Sequence, residues 1–103
     1  VPILNADATH LGGISEFMKV AALAQAHDLE IAPHGEQEVH VHLVAALANG
    51  LMLEFYPSAF NPLQETMYHG ALRLNADGTV SPPETPGLGI DPNEAVLGPY
   101  RVA

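Results

Sequence analysis

Ile31-Ala32-Pro33-His34-Gly35-Glu36-Gln37-Glu38-Val39-His40-Val41-His42 joins a short apolar run, ended by a histidine, to a helix-forming stretch from Leu43 to Ala48. This places His34 at the exit of a strand. In β/α enzymes chemistry is done at that exit, because strand ends are rigid and the loops above them open to solvent. Two other ionisable residues stand in the same relation to strands of their own: Asp7 closes Val1-Pro2-Ile3-Leu4-Asn5-Ala6, and Glu54 closes Leu51-Met52-Leu53. The intervals from Asp7 to His34 and from His34 to Glu54 are each about the length of one β/α repeat. The three are read as one site; His10 is close enough to Asp7 to line its mouth, although a solvated loop residue is the plainer reading of it.

Working outward, residues 1–6 are apolar on both faces, as in a strand buried in a parallel sheet. Gly12-Gly13 breaks the chain, and Ile14, Phe17, Met18, Ala21 and Ala22 then recur at helical spacing. They predict an amphipathic helix covering the sheet, with Ser15, Glu16, Lys19 and Gln25 turned to water. His27-Asp28 stops it, and Leu29-Glu30-Ile31-Ala32 begins a second strand, completing a right-handed parallel βαβ unit. A shorter copy follows: a helix over 37–48, Asn49-Gly50 as its stop, and a third strand over 51–55.

Past Tyr56-Pro57 the composition changes to loop residues. Residues 71–74, the turn Asn75-Ala76-Asp77-Gly78, and Thr79-Val80 predict a β-hairpin. Residues 81–89 read as extended coil, and Asp91-Pro92 as the cap and first position of a short helix reaching about Leu97. The expected division is a β/α part, 1–56, and a hairpin and tail, 57–103. Three parallel strands leave sheet edges unpaired, so the unit reads as part of something larger.

Length and charge bound the reading. The 103 residues are too few for a complete (β/α)8 barrel, which needs roughly 250. Three Lys and Arg against twelve Asp and Glu give a net charge of −9, which argues against nucleic acid or an anionic membrane as partner. There is no cysteine, hence no disulfide framework and no thiolate metal site. Neither a signal-peptide pattern at the start nor an apolar stretch of ~20 residues is seen, so a soluble, cytoplasmic protein is expected.

His40-Val41-His42 raises a rival, a His-x-His pair on a strand binding metal as in a cupin-type barrel. Glu54 is too distant for that motif, and Val39 to Ala48 is helix-like, where residues two apart point to different sides. The plainer reading is one partly buried and one loop-facing histidine. Gly12-Gly13 lacks the lysine and glycine spacing of a phosphate loop and reads as a tight turn.

Taken together, Asp7-Ala-Thr-His-Leu-Gly12-Gly13-Ile14, then Ala32-Pro33-His34, then Glu54 after Leu51-Met52-Leu53, and Pro86-Gly87-Leu88-Gly89-Ile90 resemble the last quarter of the enolase superfamily. Within it they are most similar to the mandelate racemase/muconate lactonizing enzyme family, in the mandelate racemase branch that includes acid-sugar dehydratases. The resemblance implies an α/β fold, the C-terminal portion of a TIM barrel, with the three strands its sixth, seventh and eighth. It implies that His34 is a general acid/base with Asp7 as dyad partner, and that Glu54 lies by the substrate carboxylate or the developing enediolate oxygen. His10, His34 and Glu54 are then the substrate-binding residues. The implied chemistry is Mg²⁺-dependent abstraction of the proton α to a carboxylate. Dehydration of a sugar acid comes first, and racemisation of a 2-hydroxy acid second. The family's metal ligands and second base lie on earlier strands and its specificity loops on a capping domain, so Mg²⁺ ligands are expected outside these residues and none within them. This chain alone is expected to be inactive, a fragment or a subunit that associates with the rest of its barrel or with copies of itself; a non-catalytic scaffold is the alternative.

Overall fold

The structure is a computed structural model that describes residues 1–102. The chain divides after Phe55 into two compact units.

The first unit runs β1 (Ile3–Leu4), α1 (Ile14–Ala26), β2 (Glu30–Ile31) and α2 (Gln37–Ala46). β1 and β2 pair in parallel, with Ile3 opposite Glu30 and Leu4 opposite Ile31. Beyond the ladder, Ala32 N–H donates to the Leu4 carbonyl and His34 N–H to that of Ala6, both at 3.0 Å. The two exits, and the side chains they carry, are thereby held side by side.

The expected third strand is reduced to one bridge, Ile31 beside Gly50. Ile31 N–H donates to the Asn49 carbonyl at 2.9 Å, and Leu51 N–H returns to the Ile31 carbonyl at 2.8 Å. In a parallel ladder the next rung needs the N–H of residue 33, and Pro33 has none. Residues 51–55 therefore leave the sheet after a single turn of the pattern. Gly50 is required there: a Cβ on it would sit 2.6 Å from the Val44 carbonyl oxygen.

α1 buries Phe17, Ala21 and Ala24 against Ala8, Ile31 and Leu43, with Leu4, Ala6, Leu29 and Leu47 at the margin. The predicted stripe is rotated. Phe17 and Ala21 face the core as expected, but Ile14, Met18 and Ala22 are exposed, and Ala24 takes their place. A stripe of residues 17, 21 and 24 follows one line along a helix of 3.6 residues per turn, and a two-stranded sheet covers only that width. For the same reason Ile3, Leu51 and Met52, expected to be enclosed, are exposed. α2 ends two residues before the expected limit, where Leu47 turns extended.

In the second unit the expected hairpin survives only as its turn. Asn75 N–H donates to the Thr79 carbonyl at 2.8 Å, but residues 71–74 and 79–80 form no ladder. The flanks do not alternate: Leu72 is buried while Arg73 and Leu74 are both exposed, and Pro82-Pro83 supplies no donors on the return. The antiparallel pair is instead β3 (Tyr68–His69) with β4 (Asp91–Pro92). Asp91-Pro92 is thus strand rather than cap, and Asn93 precedes the short α3 (Glu94–Leu97).

Candidate active site

Asp7 follows β1 and is buried, with both oxygens in use. Its Oδ1 accepts the Thr9 amide at 2.8 Å and the Thr9 hydroxyl at 2.7 Å. Its Oδ2 accepts Nδ1–H of His10 at 2.7 Å and Nδ1–H of His34 at 3.2 Å. Burial raises the carboxyl pKa, but the bonds from Thr9, His34 and His10 outweigh it and hold the group well below the usual carboxylate range. Asp7 is ionised at any physiological pH.

A carboxylate can only accept, so each imidazole presents a protonated Nδ1 to it. In the neutral ring this leaves a lone pair on His34 Nε2. The His34 side chain is 55% exposed and reaches solvent. A base at Nε2, backed by an anion at Nδ1, is the arrangement that fixes an imidazole's tautomer and stabilises its protonated form.

Glu54 joins the other two through the backbone: its Oε2 accepts the Gly35 N–H at 2.7 Å, on the residue after His34. The structure thus brings together Asp7, His10, His34 and Glu54. It does not make a metal pair of His40 and His42. His40 is fully buried; its Nε2 accepts the Ala8 N–H at 3.0 Å and its Nδ1 donates to the Gly35 carbonyl at 2.7 Å, leaving no nitrogen for a metal. Sequence reasoning missed this role, since nothing in the pattern distinguishes a histidine bonded to backbone from one filling space. Thr9, which supplies two of the four bonds to Asp7, was also missed; a hydroxyl two residues after an aspartate is the usual sign of such a turn.

The Mg²⁺ of the resemblance finds no cage here. Among the described residues no group of three or more His, Asp or Glu side chains is placed to hold a metal ion. Also among them, no helix is long and apolar enough to cross a membrane.

Known proteins match this chain over nearly its whole length. The family described as Enolase C-terminal domain-like matches residues 1–96. The chain belongs to the enolase superfamily. A D-galactonate dehydratase of Verminephrobacter eiseniae is 36% identical over 94% of this chain and 28% of its own length. An L-rhamnonate dehydratase of Saccharopolyspora erythraea is 35% identical, over 95% of this chain and 27% of its own. Among solved structures, a mandelate racemase/muconate lactonizing enzyme from Jannaschia sp. CCS1 superposes with a TM-score of 0.87 at 35% identity, covering all of this chain and 27% of that one. An L-talarate dehydratase from Polaromonas sp. JS666, complexed with Mg and L-glucarate, has a TM-score of 0.81 at 33% identity, covering 95% and 26%. This enolase-superfamily chain therefore spans about a quarter of the length of the relatives it matches. Its neighbours are mandelate racemase/muconate lactonizing enzymes, and its α/β architecture is of the superfamily's TIM-barrel type.

Proposed function

We propose that these residues form the C-terminal part of an acid-sugar dehydratase, comprising the last three β/α units of its barrel and the segment that returns toward a capping domain. The observation that carries the reading is the contact of Asp7 Oδ2 with His34 Nδ1 at 3.2 Å, which leaves Nε2 to exchange protons with substrate. Dehydration is favoured over racemisation because relatives at 35% to 36% identity are named dehydratases of D-galactonate, L-rhamnonate and D-mannonate.

In this reading the substrate is a polyhydroxy carboxylate. His34 Nε2 takes the α-proton, yielding an enediolate and an imidazolium; the imidazolium returns that proton to the β-hydroxyl, which leaves as water, and the resulting enol becomes a 2-keto acid. Asp7 stays ionised throughout and stabilises the imidazolium from which that proton comes. Glu54, held at the His34–Gly35 peptide, and His10, at the mouth, bind substrate oxygens. Mg²⁺, present in the complexes of two structural neighbours, would be held by ligands outside these residues and would supply positive charge to the developing enediolate. The complete site needs association with the rest of the barrel, in a cytoplasmic enzyme.

The test is incubation of the full-length protein and Mg²⁺ with a panel of sugar acids, reading 2-keto acid formation. Production from at least one member supports the reading. Racemisation of a 2-hydroxy acid without loss of water overturns the choice of dehydration, and no turnover of any carboxylate overturns both.

A further inference from the structure

His40 lies in the first turn of α2, its ring fully enclosed and stacked at 5.6 Å on Phe17. Its two bonds fix its chemistry. The Ala8 N–H can only donate to Nε2 and the Gly35 carbonyl can only accept from Nδ1, so the ring is neutral and carries its proton on Nδ1.

The partners decide what the ring does. Ala8 follows Asp7, and Gly35 follows His34. Gly35 in turn gives its own N–H to Glu54. One side chain therefore ties the exit carrying the anion to the exit carrying the base, and through a single glycine to the exit carrying Glu54. The loop it holds does not rest there by itself: Gly35 has φ of 60° and Glu36 of 37°, both left-handed, and for glutamate that region is disfavoured. A clamp on the Gly35 carbonyl keeps that turn wound.

We propose that His40 is a positioning residue that sets the separation of Asp7 and His34 and presents the Gly35 N–H to Glu54, without touching substrate. The proposal rests on the reading of Asp7 and His34 as an acid/base dyad. It makes the two ring nitrogens separately necessary. An asparagine amide nitrogen falls near the position of Nδ1 and keeps the Gly35 bond, whereas a glutamine amide oxygen falls near Nε2 and keeps the Ala8 bond.

The experiment uses H40N and H40Q in the full-length protein, with the downfield proton resonance of His34 Nδ1–H, assigned by its loss in H34N, as a readout that needs no substrate. In H40N the Asp7 corner is released: the resonance shifts or broadens away, and kcat falls by about tenfold to a hundredfold with KM within about threefold. In H40Q the resonance persists while kcat falls, because only the Gly35 clamp is lost. An unchanged resonance in folded H40N, or its loss in folded H40Q, overturns the proposal; where H40N does not fold, H40Q decides alone. A wild-type protein that shows the resonance but turns over no sugar acid contradicts the dehydratase reading and leaves the positioning role to be judged on the resonance.

Discussion

His34 and Asp7, 27 residues apart in sequence, meet at Nδ1 and Oδ2 across a separation of 3.2 Å. The contact is made because β1 and β2 are adjacent and parallel, and because the Ala6 carbonyl accepts the His34 N–H beyond the end of the ladder. Each side chain is carried by a backbone fixed on the other's strand.

The dyad predicts the effect of Asp7→Asn. The amide is neutral and offers His34 a carbonyl or an NH₂, so the imidazolium loses its anion. In the full-length enzyme kcat is expected to fall by about 10² to 10⁴, with KM little changed. Steady-state kinetics on the substrate found by the sugar-acid panel checks it.

Asp7 also predicts a pH dependence of stability. Its folded pKa is depressed, so the unfolded chain takes up a proton before the folded chain does. The stabilisation is therefore fully present above the ordinary carboxylate pKa of about 4 and is lost as pH falls below it. Thermal unfolding of the wild type and of Asp7→Asn is expected to differ most above about pH 5, with the difference narrowing steadily as pH falls below about 4 toward the depressed folded pKa.

Two core sites give tests independent of the chemistry. Phe17 is fully buried at the centre of the first unit and supports the His40 ring, so Phe17→Ala is expected to cost about 3–5 kcal/mol in urea unfolding.

Gly50→Ala forces a Cβ to 2.6 Å from the Val44 carbonyl oxygen, at the one bridge joining residue 50 to Ile31. An expected loss of about 1–3 kcal/mol in the same measurement would reflect backbone that must shift to admit a methyl group.

Much of this was legible in the sequence because strand exits mark themselves. An apolar run that stops at a charge or a histidine ahead of a helix pattern singled out Asp7 and His34 without coordinates, and Glu54 was singled out by its apolar run alone, which forms no strand beyond the bridge at Gly50. Phe17 and Ala21 were likewise legible from periodicity. What was not legible depends on partners the pattern does not name. Ile14 and Met18 have the spacing of core residues, but whether they are covered depends on what lies beyond a narrow sheet. Residues 51–55 have strand composition, but Pro33 on a different strand ends their ladder. The hairpin expected over 71–80 rests on its turn, which Asn75 and Thr79 do close; the flanks form no ladder, since Leu72 is buried while Arg73 and Leu74 are both exposed. His40 was visible only as one half of a His-x-His pair, since its two bonds go to backbone atoms.

The most direct test of the dyad is exchange of the substrate α-proton with solvent deuterium, followed by NMR in the full-length protein with Mg²⁺ and a sugar acid, for the wild type and His34→Asn. The dyad predicts that the substitution abolishes exchange on at least one face of the α-carbon. Undiminished exchange on both faces would contradict the assignment of His34 as the acid/base group.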